Sequence, residues 1–214
     1  MLTEVQKNIL IPVIILVIPF LLFIGYKSYD NRFGSLSYYG AIEKTTGNNS
    51  NLPAQVSEFN FINSDQKIIT RKDIDGKIVV INFFFSKCST ICPQMLSNET
   101  KLAEAVAGNS DIKMYSITVD PENDTPERLK EFSFQYNSTF SNWEFLSGKK
   151  TDIYRFARKG LQVIVTDGDG GPADFIHSDM LVLIDKHGQI RGYYRGTEKG
   201  KVDELISDIK KLEK

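Results

Sequence analysis

From Ile78 to Phe85 the chain reads Ile-Val-Val-Ile-Asn-Phe-Phe-Phe. Apolar at both parities and rich in β-branched and aromatic residues, this run suits a central strand buried on both faces. It ends in Ser86-Lys87-Cys88-Ser89-Thr90-Ile91-Cys92-Pro93, which holds both cysteines of the 214-residue chain. Three residues separate them, so on a helical turn the two sulfurs share one face and can share one ligand.

The segments around this run alternate. Short strands are expected at Phe59–Phe61 and Lys67–Thr70, and a buried strand at Ile112–Val119. Further strands are expected at Trp143–Leu146 and Leu161–Thr166, with a hairpin of Met180–Ile184 and Gln189–Tyr194. Helical spacing covers Pro93 to about Val106, Pro126 to about Tyr136, Thr151–Arg158 and Lys199–Leu212. Thr125 precedes Pro126 as an N-cap followed by proline at N1. Alternation of this kind predicts an α/β domain with a mixed central sheet flanked by helices. In such sheets sites gather beyond the carboxyl ends of the parallel strands. Cys88 and Asp120 each follow such an end, so the two are expected to be neighbours.

Ahead of this domain, Ile9 to Ile24 carries no charge and lies between Lys7 and Lys27. As a helix it covers roughly 24 Å, and Asn8, Gly25 and Tyr26 extend it towards a hydrocarbon core of about 30 Å. Tyr26 and Tyr29 suit interfacial positions. No small-residue cleavage site follows, so an uncleaved membrane anchor over residues 1–29 is expected. Flanking charges are too balanced to orient it. Residues 30–54, rich in Gly, Ser, Asn and Tyr, read as a linker, and residues 55–214 as the folded domain. The 26 Lys and Arg against 27 Asp and Glu are interspersed, which excludes a basic nucleic-acid footprint.

A cysteine between strand and helix meets unpaired N–H groups and the positive end of the helix dipole, so Cys88 is expected to be the more reactive sulfur. With Cα atoms about 6 Å apart, a disulfide is within reach. Reversible disulfide exchange and binding of a soft metal both remain open. Structural zinc is disfavoured, because four ligands are needed and the chain has only two cysteines and two histidines. His187 lies in the hairpin turn Asp185-Lys186-His187-Gly188, where an exposed polar residue is ordinary. His177 follows the Gly-rich acidic stretch from Asp167, which reads as a mobile flap and lacks a calcium-loop ligand pattern. Asp120 reads either as a turn former before Pro121 or as an acceptor beside the site.

Three segments, Phe-Ser-Lys-Cys-Ser-Thr-Ile-Cys-Pro at 85–93, Thr-Val-Asp-Pro-Glu-Asn-Asp-Thr-Pro at 118–126 and Phe-Ile-His-Ser at 175–178, resemble the SCO/SenC proteins. The resemblance runs from about Gln55 to the end. It implies a thioredoxin-like fold and a membrane-tethered copper-binding assembly factor for cytochrome c oxidase, with the soluble domain outside the cytoplasm, in bacteria on the periplasmic side. Copper would be bound by Cys88, Cys92 and His177. The expected partners are the copper-bearing subunit of the oxidase, the membrane, and other copper carriers or thiol reductants. Unlike much of the family, this chain has Phe84 and Phe85 ahead of the first cysteine and Ser89 after it. Two other readings stand beside the copper carrier: a thiol–disulfide oxidoreductase in which Cys88 attacks and Cys92 resolves, and an interaction scaffold with an inert disulfide.

Overall fold

The computed structural model describes residues 4–39, 42–44, 51–53, 55–136, 140–167 and 175–213, with the side chains of 4–12, 14, 28, 30–33, 42–44, 51–53, 166–167 and 175–177 outside the description. The chain divides into two compact units, 1–35 and 36–214. The first is a helix, α1 (Glu4–Phe33), longer than the apolar run that predicts it. Its described apolar side chains, among them Val13, Leu16, Phe20 and Leu22, are largely exposed. Among the described residues, no helix is long and apolar enough to cross a membrane.

The second unit contains a small antiparallel pair, β1 (Ile42–Lys44) and β2 (Asn51–Pro53), inside the stretch expected to be linker. Then follow β3 (Asn60–Asn63), β4 (Ile68–Thr70), β5 (Ile78–Phe84), α2 (Cys92–Ala105), β6 (Ile112–Thr118), α3 (Pro126–Ser133) and β7 (Trp143–Ser147). After α4 (Lys150–Arg155) come β8 (Val165–Asp167), β9 (Phe175–His177), β10 (Met180–Ile184), β11 (Ile190–Arg195) and α5 (Lys199–Leu212). Seven strands form one mixed sheet in the order β11-β10-β5-β6-β7-β3-β4. β5, β6 and β7 are parallel, and β10 runs antiparallel to β5. The expected mixed sheet flanked by helices is what forms.

Every residue of β5 is buried, as a doubly apolar run requires. Val79, Ile81 and Phe83 face one apolar layer with Ile153, Phe156 and Leu161. Ile78, Val80 and Phe84 face the other, against Met95, Leu96 and Leu102 of α2 and Val202, Leu205 and Ile209 of α5. Cys88, just past the strand, packs against both layers.

Two expectations need correction beyond β7. The helix expected over Thr151–Arg158 is α-helical only to Arg155 and continues as a π turn, Phe156–Gly160, closed by Leu161 N–H to Phe156 O at 2.9 Å. That wider turn displaces the strand expected at Leu161–Thr166, leaving only Val165–Asp167 as β8. Its partner β9, not among the expected strands, pairs antiparallel with it and sets His177 opposite Val165. Most of the acidic stretch expected to be a flap, residues 168–174, lies outside the described residues.

The segment where the second unit begins is tied to the sheet. The Arg191 guanidinium donates to the carbonyls of Leu36 (2.6 Å) and Ser37 (3.2 Å) and lies 4.0 Å over the Tyr38 ring. It also pairs at 2.9 Å with Asp185, which accepts from His187 N–H and Gln189 N–H across the hairpin turn. Both side chains of the pair are nearly inaccessible, so removing the cation leaves a buried carboxylate unpaired. Arg191→Ala is expected to lower the unfolding free energy by about 3 kcal/mol in urea titration and to open residues 36–39 to protease, with Arg191→Lys recovering only part of the loss.

Candidate functional site

β5 hands the chain to a tight turn in which Cys88 N–H donates to Phe85 O at 3.1 Å. α2 then starts at Cys92, with Pro93 in the first turn, where its missing N–H costs nothing. Both cysteines are free thiols, Cys88 partly exposed and Cys92 buried. Cys88 Sγ lies 3.6 Å from Thr90 Oγ1. The Cys92 thiol is held strongly in its protonated form. The largest cause is its hydrogen bond to Cys88, then burial, with smaller contributions from the charges of Cys88 and Glu99, while a backbone hydrogen bond from Phe85 works the other way. Cys92 is thus the proton-bearing partner and Cys88 the sulfur that accepts its hydrogen bond.

The two parallel strands put a second loop beside this turn, since Phe84 pairs with Thr118 and Val119 N–H donates to Phe84 O at 2.8 Å. Asp120 starts that loop. Its backbone carbonyl accepts from Asn123 and Asp124 N–H, and its carboxylate accepts from the Asn123 amide at 3.0 and 2.9 Å. Asn123 Oδ1 in turn accepts from Lys87 Nζ at 3.0 Å, so Lys87 is drawn towards this loop.

The carboxylate that reaches the cysteine turn itself is Asp124, which sequence reading passed over. It is fully buried and accepts from Ser86 N–H at 3.0 Å, from the Ser86 hydroxyl and from the Thr118 hydroxyl. Arg128 Nε, from α3, donates to Ser86 Oγ at 3.3 Å. Two residues before Cys88, the backbone is therefore clamped to the end of β6. Thr125-Pro126 reads as a helix start, and an N-cap signal does not say which neighbouring side chain turns inward.

Glu99 is the other residue not singled out. It lies on the buried stripe of α2 with Cys92, Met95, Leu96, Leu102 and Ala103, which was the available signal. One oxygen accepts from the Ser116 hydroxyl at 3.3 Å, and the other has no partner. Burial pushes its carboxyl up to about 8.

Among the described residues, no three His, Cys, Asp or Glu side chains form a group that could hold a metal. The donors present, two thiols linked by a hydrogen bond and not by a disulfide, fit a soft cation, which takes two or three such ligands. The His177 side chain lies outside the described residues. Its backbone is in β9, where neighbouring Ser178 N–H donates to Ile164 O at 3.0 Å. Val165, the pairing partner of His177, and Met180 pack in or against the same apolar layer as Cys88.

A mixed sheet flanked by helices, with a two-thiol turn leaving the central parallel strand for a helix, defines a thioredoxin-like thiol domain. The SCO1/SenC family profile matches residues 47–214, and the chain belongs to that family. It is 36% identical over 158 residues to the SCO1 protein homolog of Bacillus subtilis, covering 73% of this chain and 81% of that one. The structure of BsSco, reported to carry a disulfide switch and described as a member of the Sco family of cytochrome c oxidase assembly proteins, aligns with a TM-score of 0.66. It is 36% identical, and the match covers 75% of this chain and 94% of that one. Bradyrhizobium japonicum ScoI with copper bound shares the fold with a TM-score of 0.63 at 23% identity, covering 74% and 99% of the two chains.

Asp124→Ala leaves Ser86 N–H and two hydroxyls without their charged acceptor, and is expected to cost about 3 kcal/mol in chemical unfolding and to speed hydrogen exchange at Ser86–Cys88. Glu99 predicts a pH dependence. Its folded value of about 8 lies above the ordinary 4.5, so its contribution to stability is complete below 4.5 and is lost as pH rises to 8. The expected slope is a fall of up to about 1.4 kcal/mol per pH unit within that window. Unfolding curves of Glu99→Gln measured across it should lack this component.

Proposed function

We propose that this chain is a membrane-tethered copper carrier that binds copper through Cys88, Cys92 and His177 and assists assembly of the copper site of cytochrome c oxidase. The observation that carries the reading is the pair of reduced thiols in a SCO1/SenC domain, Cys88 partly exposed and Cys92 buried and hydrogen-bonded to it. Two thiolates suit Cu(I), and an imidazole would complete a three-ligand set that still accommodates an exchange partner. Support for His177 as that imidazole comes from β9, whose partner Val165 shares an apolar layer with Cys88. Bound copper would be cargo, handed on when the sulfurs of a client displace those of the carrier. The uncharged run Ile9–Ile24 supports α1 as the tether, with the folded unit on the extracytoplasmic side beside a membrane-bound client.

A second reading has its own observation. A thiol donating to its neighbour is also the resting state of a disulfide-exchange pair, in which Cys88 attacks a client disulfide, Cys92 resolves the mixed disulfide, and the client leaves as a dithiol.

Cu(I) titration of the reduced full-length chain in detergent is expected to show one equivalent bound. His177→Ala should weaken binding by about tenfold or more, while Cys88→Ser or Cys92→Ser abolishes it. Absence of binding by the reduced wild type sinks the copper reading. Rapid turnover of a model disulfide, with a mixed disulfide trapped in Cys92→Ser, promotes the second. Recovery of the chain in the soluble rather than the membrane fraction would remove the tether.

A further inference from the structure

Gly196 and Thr197, in the turn between β11 and α5, are gripped from two sides. From α2, Gln94 Nε2 donates to Thr197 O at 2.7 Å; one turn on, on the same face of the helix, the buried Asn98 donates through Nδ2 to Gly196 O at 2.8 Å. From the residue ahead of β10, Asp179 accepts twice, its carbonyl from Gly196 N–H at 2.8 Å and its carboxylate from the Thr197 hydroxyl at 2.7 Å. Arg195 Nε lies 3.8 Å from the same carboxylate on an exposed side chain, so the Thr197 hydroxyl is the shorter and more directional partner. Glycine at 196 permits this approach, since a Cβ there would stand 2.7 Å from Cγ of Met95, a buried residue of α2.

The two ends of this chain of contacts lie beside the residues of the site. Gln94 follows Cys92 by two residues on α2, and Asp179 follows His177 by two. Between His177 and Asp179, Ser178 N–H is fastened to Ile164 O at 3.0 Å. The β10–β11 ladder starts at the Met180–Arg195 pair, and α2, β10 and α5 share one apolar layer, so these elements are already held in the fold. The polar contacts at Gly196 and Thr197 lie beyond the ladder. What they add is a fixed offset between the start of α2 and the end of β9. A site whose groups come from separate elements works only if those groups are held to within about 0.5 Å.

We propose that Thr197 is the positioning residue of the cysteine–histidine site: its carbonyl is held by Gln94 and its hydroxyl by Asp179, so that one residue sets the separation between the helix that carries Cys92 and the strand that carries His177. Thr197 acts through Gln94 and Asp179, not on the metal. The inference deepens the copper reading, with His177 as the third ligand, and rests on it. Loss of the hydroxyl leaves the sulfurs on their turn and frees the histidine strand, so copper keeps two ligands and loses the contribution of the third.

Cu(I) titration of the reduced full-length chain in detergent, against a competing chelator, is expected to show binding about tenfold weaker in Thr197→Val. Valine keeps the shape without the donor, and Thr197→Ser should restore most of the affinity. In a His177→Ala background, Thr197→Val should cost nothing further. Hydrogen exchange of the metal-free chain gives a second readout: Thr197→Val should speed exchange at Ser178 and Gly196 more than at the amides of β5. Asp179→Ala removes the same contact from the other side if the valine variant folds poorly. Wild-type copper affinity in Thr197→Val overturns the proposal, as does an equal loss in the His177→Ala background, which would put the effect on the sulfurs or on the fold. Exchange that is unchanged at Ser178 and Gly196, or raised there no more than in β5, overturns it as well. A wild type that binds no copper, with exchange at Ser178 and Gly196 still selectively faster in Thr197→Val, overturns the copper reading and leaves the strap between helix and strand standing.

Discussion

The parallel pairing of β5 with β6 is the constraint on which the rest depends. Because β5 is buried on both faces, its only outlets are its ends, and the pairing of Phe84 with Thr118 brings the two carboxyl ends together. Two loops that are distant in sequence therefore leave the sheet side by side. Asp124 uses that adjacency, taking up donors from Ser86 on one loop and Thr118 on the other. A buried acceptor is tolerable there because these donors surround it, with Arg128 one hydrogen bond further out on Ser86 Oγ. The sulfur turn is thus held by a carboxylate rather than by a disulfide or by helix capping alone.

The two cysteines differ in burial and in hydrogen bonding. Cys88, at the turn, packs against both apolar layers while keeping some exposure; Cys92, in the first helical turn, is enclosed and donates to its neighbour. One sulfur keeps some exposure and the other is enclosed. Such an asymmetry is compatible both with a soft metal and with a disulfide, so the two proposed readings rest on the same residues. Beneath them, Glu99 replaces what would otherwise be an apolar contact of α2 on the sheet, and its desolvation is tolerated because Ser116 and Trp143 form a small polar island there.

Much of this was legible in the residues themselves. The doubly apolar run forecast the central strand, helical spacing forecast α2 and α5, and the order of elements forecast the mixed sheet. The cysteine turn could be located because a strand-to-helix junction has a local signature. Where the forecast failed, the reason was local backbone geometry or pairing at a distance. The π turn after Arg155 shortened a helix and displaced the next strand, and no residue type encodes that widening. β9 escaped notice because three residues carry too little periodicity, and it is a strand only through pairing with β8.

What the sequence by itself determined is the chemistry available: two thiols three residues apart at a strand end, few alternatives for a metal ligand, and an uncharged run ahead of the domain. These are properties of residue type and spacing, and survive without coordinates. Only the tertiary structure decided which polar groups were to be buried and against what. Asp120 and Asp124 are alike in sequence, yet the first closes its own turn and the second clamps the cysteine turn. Glu99 is one of many glutamates until the sheet closes over it. The physical reason is that desolvation and its compensation depend on partners from other strands, and those partners are chosen by the packing of the whole sheet.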